Sequence, residues 1–191
     1  MRRRALLATA GSVGLAGCTT ALPTLCSRPS LRADRLEFET IDFPSLSGWW
    51  LEPDGAILAA DPDHVERLEP PEAVATELDL EVADEERAFV DETDLSTSML
   101  VGVIVTSAAG STDARVTHVV REDRTVHCYV CIRRRGMDDV GANQARLIRV
   151  ADRWTVDGVR VTFTNGGDGR ETFDSDGTGA EVRDRWADEL S

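Results

Sequence analysis

The segment from Ser98 to Thr106 (SMLVGVIVT) restricts the fold more than any other, because nearly every position in it is apolar. A strand with one face in water alternates apolar and polar residues, whereas a strand that is apolar throughout is covered by protein on both faces. We therefore predict a strand here that is buried on both sides, in a chain whose length suits one domain.

Several shorter segments also have the composition of strands and are separated by turn signals. The predicted strands are Arg35 to Phe43, a short pair within Trp49 to Leu58 around Pro53-Asp54-Gly55, the alternating ELDLEV run of residues 77–82, Arg115 to Val120, Thr125 to Arg133, Ala145 to Val150 and Val156 to Thr164. This pattern predicts a mainly β fold, either an antiparallel sandwich or a partial barrel, with one or two short helices.

The helix predictions depend on apolar periodicity and on residues that start helices. Asp84 to Val90 begins with an acidic turn, and Glu181 to Leu190 carries apolar side chains at four-residue spacing. Val182, Trp186 and Leu190 form that stripe, which predicts a short helix docked on the sheet. The remaining predictions are a turn at Pro44 to Gly48, a helical turn at Asp63 to Leu68 and a Gly/Asp-rich loop at Asn165 to Gly179.

The N-terminus has the order of charge and hydrophobicity found in export signals. Arg2 to Arg4 form a positive start, and the uncharged segment from Ala5 to Ala16 follows it. That segment is too short for a membrane-spanning helix, which takes about 20 apolar residues. Arg3 and Arg4, followed by Ala-Leu-Leu, match the twin-arginine pattern. We predict a signal peptide over residues 1–17.

The sequence Leu15-Ala16-Gly17-Cys18 is similar to a lipobox, and the chain is very acidic. Its net charge is −14, and all 21 basic residues are arginine. With the RRALL sequence, these features resemble the twin-arginine-exported lipoproteins of haloarchaea. The resemblance implies cleavage before Cys18, lipid on the Cys18 thiol and a location on the extracellular face of the cell membrane. We predict a tether over residues 18–33 and one β-rich domain over residues 34–191.

The charge also predicts the solvent and excludes one class of partner. At molar salt the Debye length is about 3 Å, so the repulsion among the carboxylates is largely screened. We expect the fold to be lost on dialysis into low salt. The charge argues against nucleic acid as a partner, because the chain offers no basic face to the phosphates.

Two histidines lie in a predicted hairpin. If its turn is centred on Glu122-Asp123, His118 faces His127, with Cβ atoms about 4.5–5.5 Å apart. The core face would then carry Val119, Val126, Cys128, Val130 and Ile132. Facing imidazoles are candidate metal ligands, but two ligands rarely hold zinc, and the sequence indicates no third. We favour an ordinary pair and keep a metal site at His118 and His127 as the alternative.

Cys128 and Cys131 have CxxC spacing, but their flanks have the pattern of a strand. Three residues along a strand place two side chains on opposite faces, which disfavours a local disulfide or a shared metal. We favour free or structural thiols. The alternatives are a disulfide to Cys26, which the extracellular location permits, and redox or metal chemistry.

Other patterns give little evidence of function. Trp49 and Trp50 lie on a predicted strand, one facing in and one out, and we favour packing over sugar stacking. The Gly166 to Phe173 run resembles a calcium repeat but occurs once, and Asp174 to Gly177 resembles only the start of an EF-hand loop. Arg133 to Arg135 is the only basic run after residue 17. No nucleophile-elbow, phosphate-loop, dinucleotide-binding or HExxH motif is present.

The sequence therefore favours a non-enzymatic, lipid-anchored module outside the cell, without a cofactor. Its expected contacts are the membrane, through the lipid on Cys18, and another envelope protein or a small ligand. The alternative is a metal-dependent accessory protein or enzyme with a site around His118 and His127.

Overall fold

The computed structural model describes residues 26–107, 112–134, 142–164 and 169–191. Within these ranges the strands are β1 (Asp34–Leu36), β2 (Phe38–Asp42), β3 (Gly55–Ala59), β4 (Met99–Ser107), β5 (Thr112–Glu122), β6 (Thr125–Arg134), β7 (Ala142–Val150), β8 (Gly158–Thr164) and β9 (Arg170–Ser175). The helices are α1 (Pro44–Trp49), α2 (Glu72–Glu77), α3 (Asp84–Asp91), α4 (Ala180–Glu189) and a 3-10 helix (Pro62–Leu68).

The strands form two sheets, which confirms the predicted mainly β sandwich. The five-stranded sheet has the order β1-β5-β6-β8-β9, and the four-stranded sheet has the order β2-β7-β4-β3. Neighbouring strands are antiparallel, apart from the parallel pair β6 and β8. A parallel pair needs a crossover connection, and here the chain makes it by passing through β7 in the other sheet.

Strand β4 is buried on both faces, as its composition predicted. Met99, Val101, Val103 and Val105 lie in the core between the sheets. Leu100 and Ile104 face the other way, into a second core under the helices. The four-stranded sheet is therefore the middle of three layers, with the five-stranded sheet on one side and short helices on the other.

The segment around the two adjacent tryptophans differs from the prediction. Pro44 to Gly48 is not a turn: Pro44 begins α1, where a proline is favoured because its missing N–H would be unpaired in any case. Trp49 ends this helix, so the alternation of a strand does not apply. Trp49 and Trp50 are both buried, at 1% and 7% exposure, and the prediction of one outward indole was wrong.

Three further predictions need correction. The ELDLEV run is not a strand, because α2 extends into it and the chain then leads to α3. The predicted Gly/Asp-rich loop contains β9, which pairs with β8. Val159 lies opposite Ser175 at one end of this pairing, and Thr164 lies opposite Arg170 at the other. Leu190 is 40% exposed, because α4 ends at Glu189, although Val182 and Trp186 on the same stripe are buried.

The segment after β9 joins the two sheets at one edge. Leu58 in β3 donates its backbone N–H to the Gly177 carbonyl oxygen at 2.7 Å. The Ser175 hydroxyl donates to the Ala56 carbonyl oxygen at 2.9 Å. Gly177 has φ of 72°, and a Cβ on it would lie 2.6 Å from the Leu58 Cβ, so glycine is needed for this close approach. The start of α4 is thereby held beside β3.

Candidate functional site

The hairpin of β5 and β6 turns at Asp123-Arg124, because Glu122 pairs with Thr125. The predicted turn at Glu122-Asp123 was therefore wrong, and so was the facing pair: His118 lies opposite Tyr129, and Val120 lies opposite His127. Asp123 has φ of 51°, a left-handed conformation that aspartate tolerates in tight turns.

Between His118 and Glu122 the register differs from the prediction by two residues, so these side chains keep their predicted faces; beyond the β-bulge between Val116 and His118 it differs by one. The predicted core face is confirmed, since Val119, Val126, Cys128, Val130 and Ile132 all lie in the core between the sheets.

His127 belongs to a hydrogen-bond network on the outer face of the five-stranded sheet. Its Nδ1 lies 2.8 Å from Glu122 Oε1, and its Nε2 lies 2.8 Å from Thr162 Oγ1. Thr162 Oγ1 is in turn 2.9 Å from Thr172 Oγ1. Four residues from β5, β6, β8 and β9 are thus joined in one chain, which we call the His127 network. The Tyr129 ring stacks on His127 at 4.2 Å between centroids and meets His118 edge-on at 6.3 Å.

The His127 network has the order of a carboxylate, a histidine and a hydroxyl, but it is closed to a substrate. Thr162 is completely buried and His127 is 4% exposed. Burial lowers the pKa of His127, although Glu122 opposes this shift. Burial also lowers the pKa of His118, with Arg35 and Arg28 adding to the effect. A neutral His127 donates through one ring nitrogen and accepts through the other, so the network holds four strands together.

The metal hypothesis at His118 and His127 gains no ligand from the structure. The described residues contain no group of three or more histidine, cysteine or carboxylate side chains arranged to hold one ion. Tyr129 instead lies against both imidazole rings.

The cysteines divide between the two faces of β6, as the strand pattern predicted. Cys131 forms a disulfide with Cys26, so the favoured interpretation of free thiols was wrong for this pair. Cys128 is a free, buried thiol in the core between the sheets, and burial raises its pKa to about 12. A thiol with this pKa stays protonated and unreactive at neutral pH.

A cleft opens where β3, the end of β9 and the start of α4 meet. Its volume is about 300 Å³. It is lined by Trp50, Glu52, Asp54, Gly55, Phe173, Asp174, Ser175, Asp176, Gly179, Ala180, Glu181 and Val182. We call this site the acidic cleft.

Trp50 forms part of the cleft wall and is 7% exposed. Its indole lies against Gly55, where an added Cβ would be 2.8 Å from Nε1. Nε1 is buried and has no hydrogen-bond partner within the described part of the chain. Trp49 Nε1 shares this property but lies outside the cleft wall. An unpaired buried donor costs about 1–3 kcal/mol, and this one belongs to a side chain that lines the cleft.

The five carboxylates of the cleft differ in their partners. Glu52 pairs with Arg185, and Asp174 pairs with Arg160 through two oxygens, at 2.7 and 3.1 Å. Asp54, Asp176 and Glu181 have no cationic partner among the residues that the structure describes. Asp176 accepts from the Thr178 N–H and hydroxyl, both at 2.8 Å.

Asp54 is the most constrained of the unpaired carboxylates. It accepts the Thr106 N–H at 2.9 Å. Burial raises its pKa, the charge of Glu171 adds to this, and the Thr106 hydrogen bond opposes it. Burial therefore disfavours the charged form of Asp54, in a wall that already carries an excess of carboxylates.

The sequence contained parts of this cleft without showing that they meet. The Pro53-Asp54-Gly55 turn, the tryptophan pair, the Asp174 to Gly177 run and the last helix were each identified separately. Arg3, Arg4 and Cys18 lie outside the described residues, as do Arg135 and residues 166–168. The cleft was missed because it depends on the unpredicted strand β9.

The chain matches no protein-family model, and no curated protein or solved structure is detectably similar to it. Within the described ranges, no helix combines the length and the apolar composition needed to cross a membrane.

Proposed function

We propose that this chain is a non-enzymatic binding module, attached by lipid at Cys18 to the extracellular face of the membrane, with the acidic cleft as its binding site. The sequence pattern at Arg3, Arg4 and Cys18 supports the anchor. Covalent lipid at the mature N-terminus holds the module at the surface, and two acyl or isoprenoid chains hold it stably where one is marginal.

The observation that carries the binding role is the Trp50 N–H, which is buried and unpaired beside a cleft of small-molecule size. Binding sites are concave and place a few polar groups where they fix a ligand's orientation. The described cleft wall has no histidine, cysteine or lysine, and its serine hydroxyl is committed to the Ala56 carbonyl oxygen. This composition favours recognition over nucleophilic chemistry.

Native membranes prepared at high salt provide the test. Mass spectrometry of the purified native chain is expected to show an N-terminus at Cys18 carrying lipid, and a Cys18→Ser variant is expected to leave the membrane fraction. A pull-down is expected to recover an envelope partner or a small ligand with the wild type. An Asp176→Asn/Glu181→Gln variant should recover less of it, because both changes lie in the cleft. An intact Met1 in cytosolic material would contradict the location and the role together.

A further inference from the structure

We infer that the acidic cleft binds a small organic cation that carries a hydrogen-bond acceptor near its charge, such as a guanidinium or ammonium group beside a carbonyl. The inference rests on the proposed function in taking the cleft as the binding site. It adds the chemical class of the ligand, which two independent properties of the wall determine.

The first property is the charge that the wall leaves unbalanced. Asp54, Asp176 and Glu181 contribute carboxylates with no cationic partner in the described residues, while both arginine-paired carboxylates already have theirs. A cation in the cleft supplies the missing partner. Hydrogen bonds between a charged donor and a carboxylate are about twice as strong as neutral ones.

The second property is the indole donor. The Trp50 N–H can donate a hydrogen bond but cannot accept one, so a cationic group, which also only donates, does not satisfy it. Because Nε1 is buried, the edge of the indole must turn toward the cleft before an acceptor on the ligand, such as a carbonyl oxygen, pairs with it while the charged end meets the carboxylates. An aromatic wall with one polar edge suits a ligand that is partly apolar between these two groups.

A bare metal ion fits these observations poorly. The described carboxylates are not grouped around one point as ligands of an ion. A divalent ion also presents no acceptor to the indole. A volume of about 300 Å³ is at the lower end of small-molecule sites, which suits a ligand of amino-acid size.

Asp54 gives independent support from its cost to the fold. A half-buried carboxylate without a cation destabilises the folded chain at neutral pH, and an asparagine would keep the Thr106 hydrogen bond without the charge. Residues that bind ligands commonly lower stability in this way, so we expect stability and binding to change in opposite directions at Asp54.

Calorimetric titration of the full chain in molar salt tests the inference, with Nα-acetyl-argininamide as the probe. Nα-acetyl-citrullinamide is the matched neutral probe, because it has the same shape without the charge. We expect the arginine compound to bind at least about tenfold more tightly. Butylguanidine carries the cation without a carbonyl and is expected to bind severalfold more weakly than the arginine compound.

Three variants link binding to the cleft. Asp54→Asn and Glu181→Gln are each expected to weaken the arginine compound about tenfold. Trp50→Phe keeps an aromatic ring but removes the donor, so it should weaken the arginine compound but leave butylguanidine unchanged. Glu77→Gln removes the same charge from an exposed site in α2, outside the cleft, and should change neither affinity. Circular dichroism establishes that each variant is folded.

The inference is overturned if the two acetylated amides bind equally, or if Asp54→Asn and Glu77→Gln behave alike. Absence of binding by the arginine compound to the folded wild type also overturns it. None of these results affects the membrane location or the lipid on Cys18, which the native-membrane experiment measures separately. A failure of the ligand class is therefore distinguishable from a failure of the proposed function.

Discussion

The His127 network and the acidic cleft both place polar groups among buried residues, but they differ in how fully those groups are paired. In the network, both ring nitrogens of His127 have partners, and the hydroxyls of Thr162 and Thr172 complete the chain. In the cleft, the Trp50 N–H has no described partner.

Arg160 touches both regions: it binds Glu122 of the network and Asp174 of the cleft wall. Its charge therefore balances Asp174 on the cleft wall. Among the described residues, Arg160 forms no ion pair with the three remaining unpaired carboxylates, Asp54, Asp176 and Glu181. A polar network whose groups are all paired stabilises a fold, whereas unpaired polar groups beside a cavity remain able to bind a ligand.

The disulfide lies on the same strand as the network and gives the largest predicted effect. Replacing Cys26 and Cys131 by serine removes a cross-link that spans 105 residues of sequence. We expect the free energy of unfolding to fall by about 3–4 kcal/mol, because the unfolded chain gains conformational freedom. Denaturant titration in molar salt measures this. Reductant should destabilise the wild type and leave the double variant unchanged; equal responses to reductant would count against the cross-link.

Thr162→Val breaks the saturated network at its centre. The substitution keeps the shape of the side chain but leaves His127 Nε2 and the Thr172 hydroxyl without this partner. We expect a loss of about 2 kcal/mol, because the buried Nε2 of His127 is left unpaired at a cost of about 1–3 kcal/mol, whereas the exposed Thr172 hydroxyl bonds to water. Thr155→Val, at an exposed position, is the control in the same denaturant titration. If both valine variants are equally stable, the network does not stabilise the strands.

His127 gives the network a pH dependence just below the ordinary histidine pKa of 6.5. Its folded pKa lies below the ordinary value of 6.5, so the unfolded chain binds the proton more tightly. Stability is therefore expected to fall as the pH drops from 6.5 through the lowered pKa. His127→Gln should reduce this slope in unfolding measured between pH 7 and 5. An unchanged slope would show that His127 is not the titrating group; His118 contributes in the same direction and remains in both proteins.

Asp54→Asn changes the acidic cleft, and we expect it to raise the free energy of unfolding, whereas the cysteine and Thr162 changes above lower it. The pKa of Asp54 in the folded chain is raised above the ordinary value of 3.8. The carboxylate therefore destabilises the fold at pH values above the folded pKa. We expect the variant to be more stable at pH 7 by a few tenths of a kcal/mol, because solvent screens a half-buried charge. The gain should disappear below pH 3.8, where both states are protonated. A destabilised variant at neutral pH would remove the argument that Asp54 is kept for binding.

The sequence predicted elements whose own pattern determines them. Strand β4 is apolar throughout, α3 has an acidic first turn, and α4 has a stripe that faces the sheet; each is found near its predicted position. Strand β9 was missed because the Gly/Asp-rich segment before it resembles a loop. Its pairing with β8 depends on tertiary contacts, which a local sequence pattern does not show. Helix α1 was missed because Pro44 is compatible with both a turn and the first position of a helix.

The candidate site was less predictable than the fold, because it depends on distances between segments far apart in sequence. The face of each hairpin residue followed from strand alternation, so Val119 and Cys128 were placed correctly. The register depended on the left-handed Asp123, which the sequence did not specify. The cleft joins Trp50, Asp54 and Glu181, which no local motif connects.

The indole resonances of the four tryptophans test the central claim most directly. In a nitrogen-15 correlation spectrum of the full chain at molar salt, the Trp50→Phe variant identifies the Trp50 N–H signal. We predict that adding Nα-acetyl-argininamide shifts this signal downfield and slows its exchange with water, while Trp154, whose N–H is already bonded to the Asp123 carbonyl, stays in place. If the Trp50 signal does not move while the compound binds, the cleft described here is not where the ligand is held.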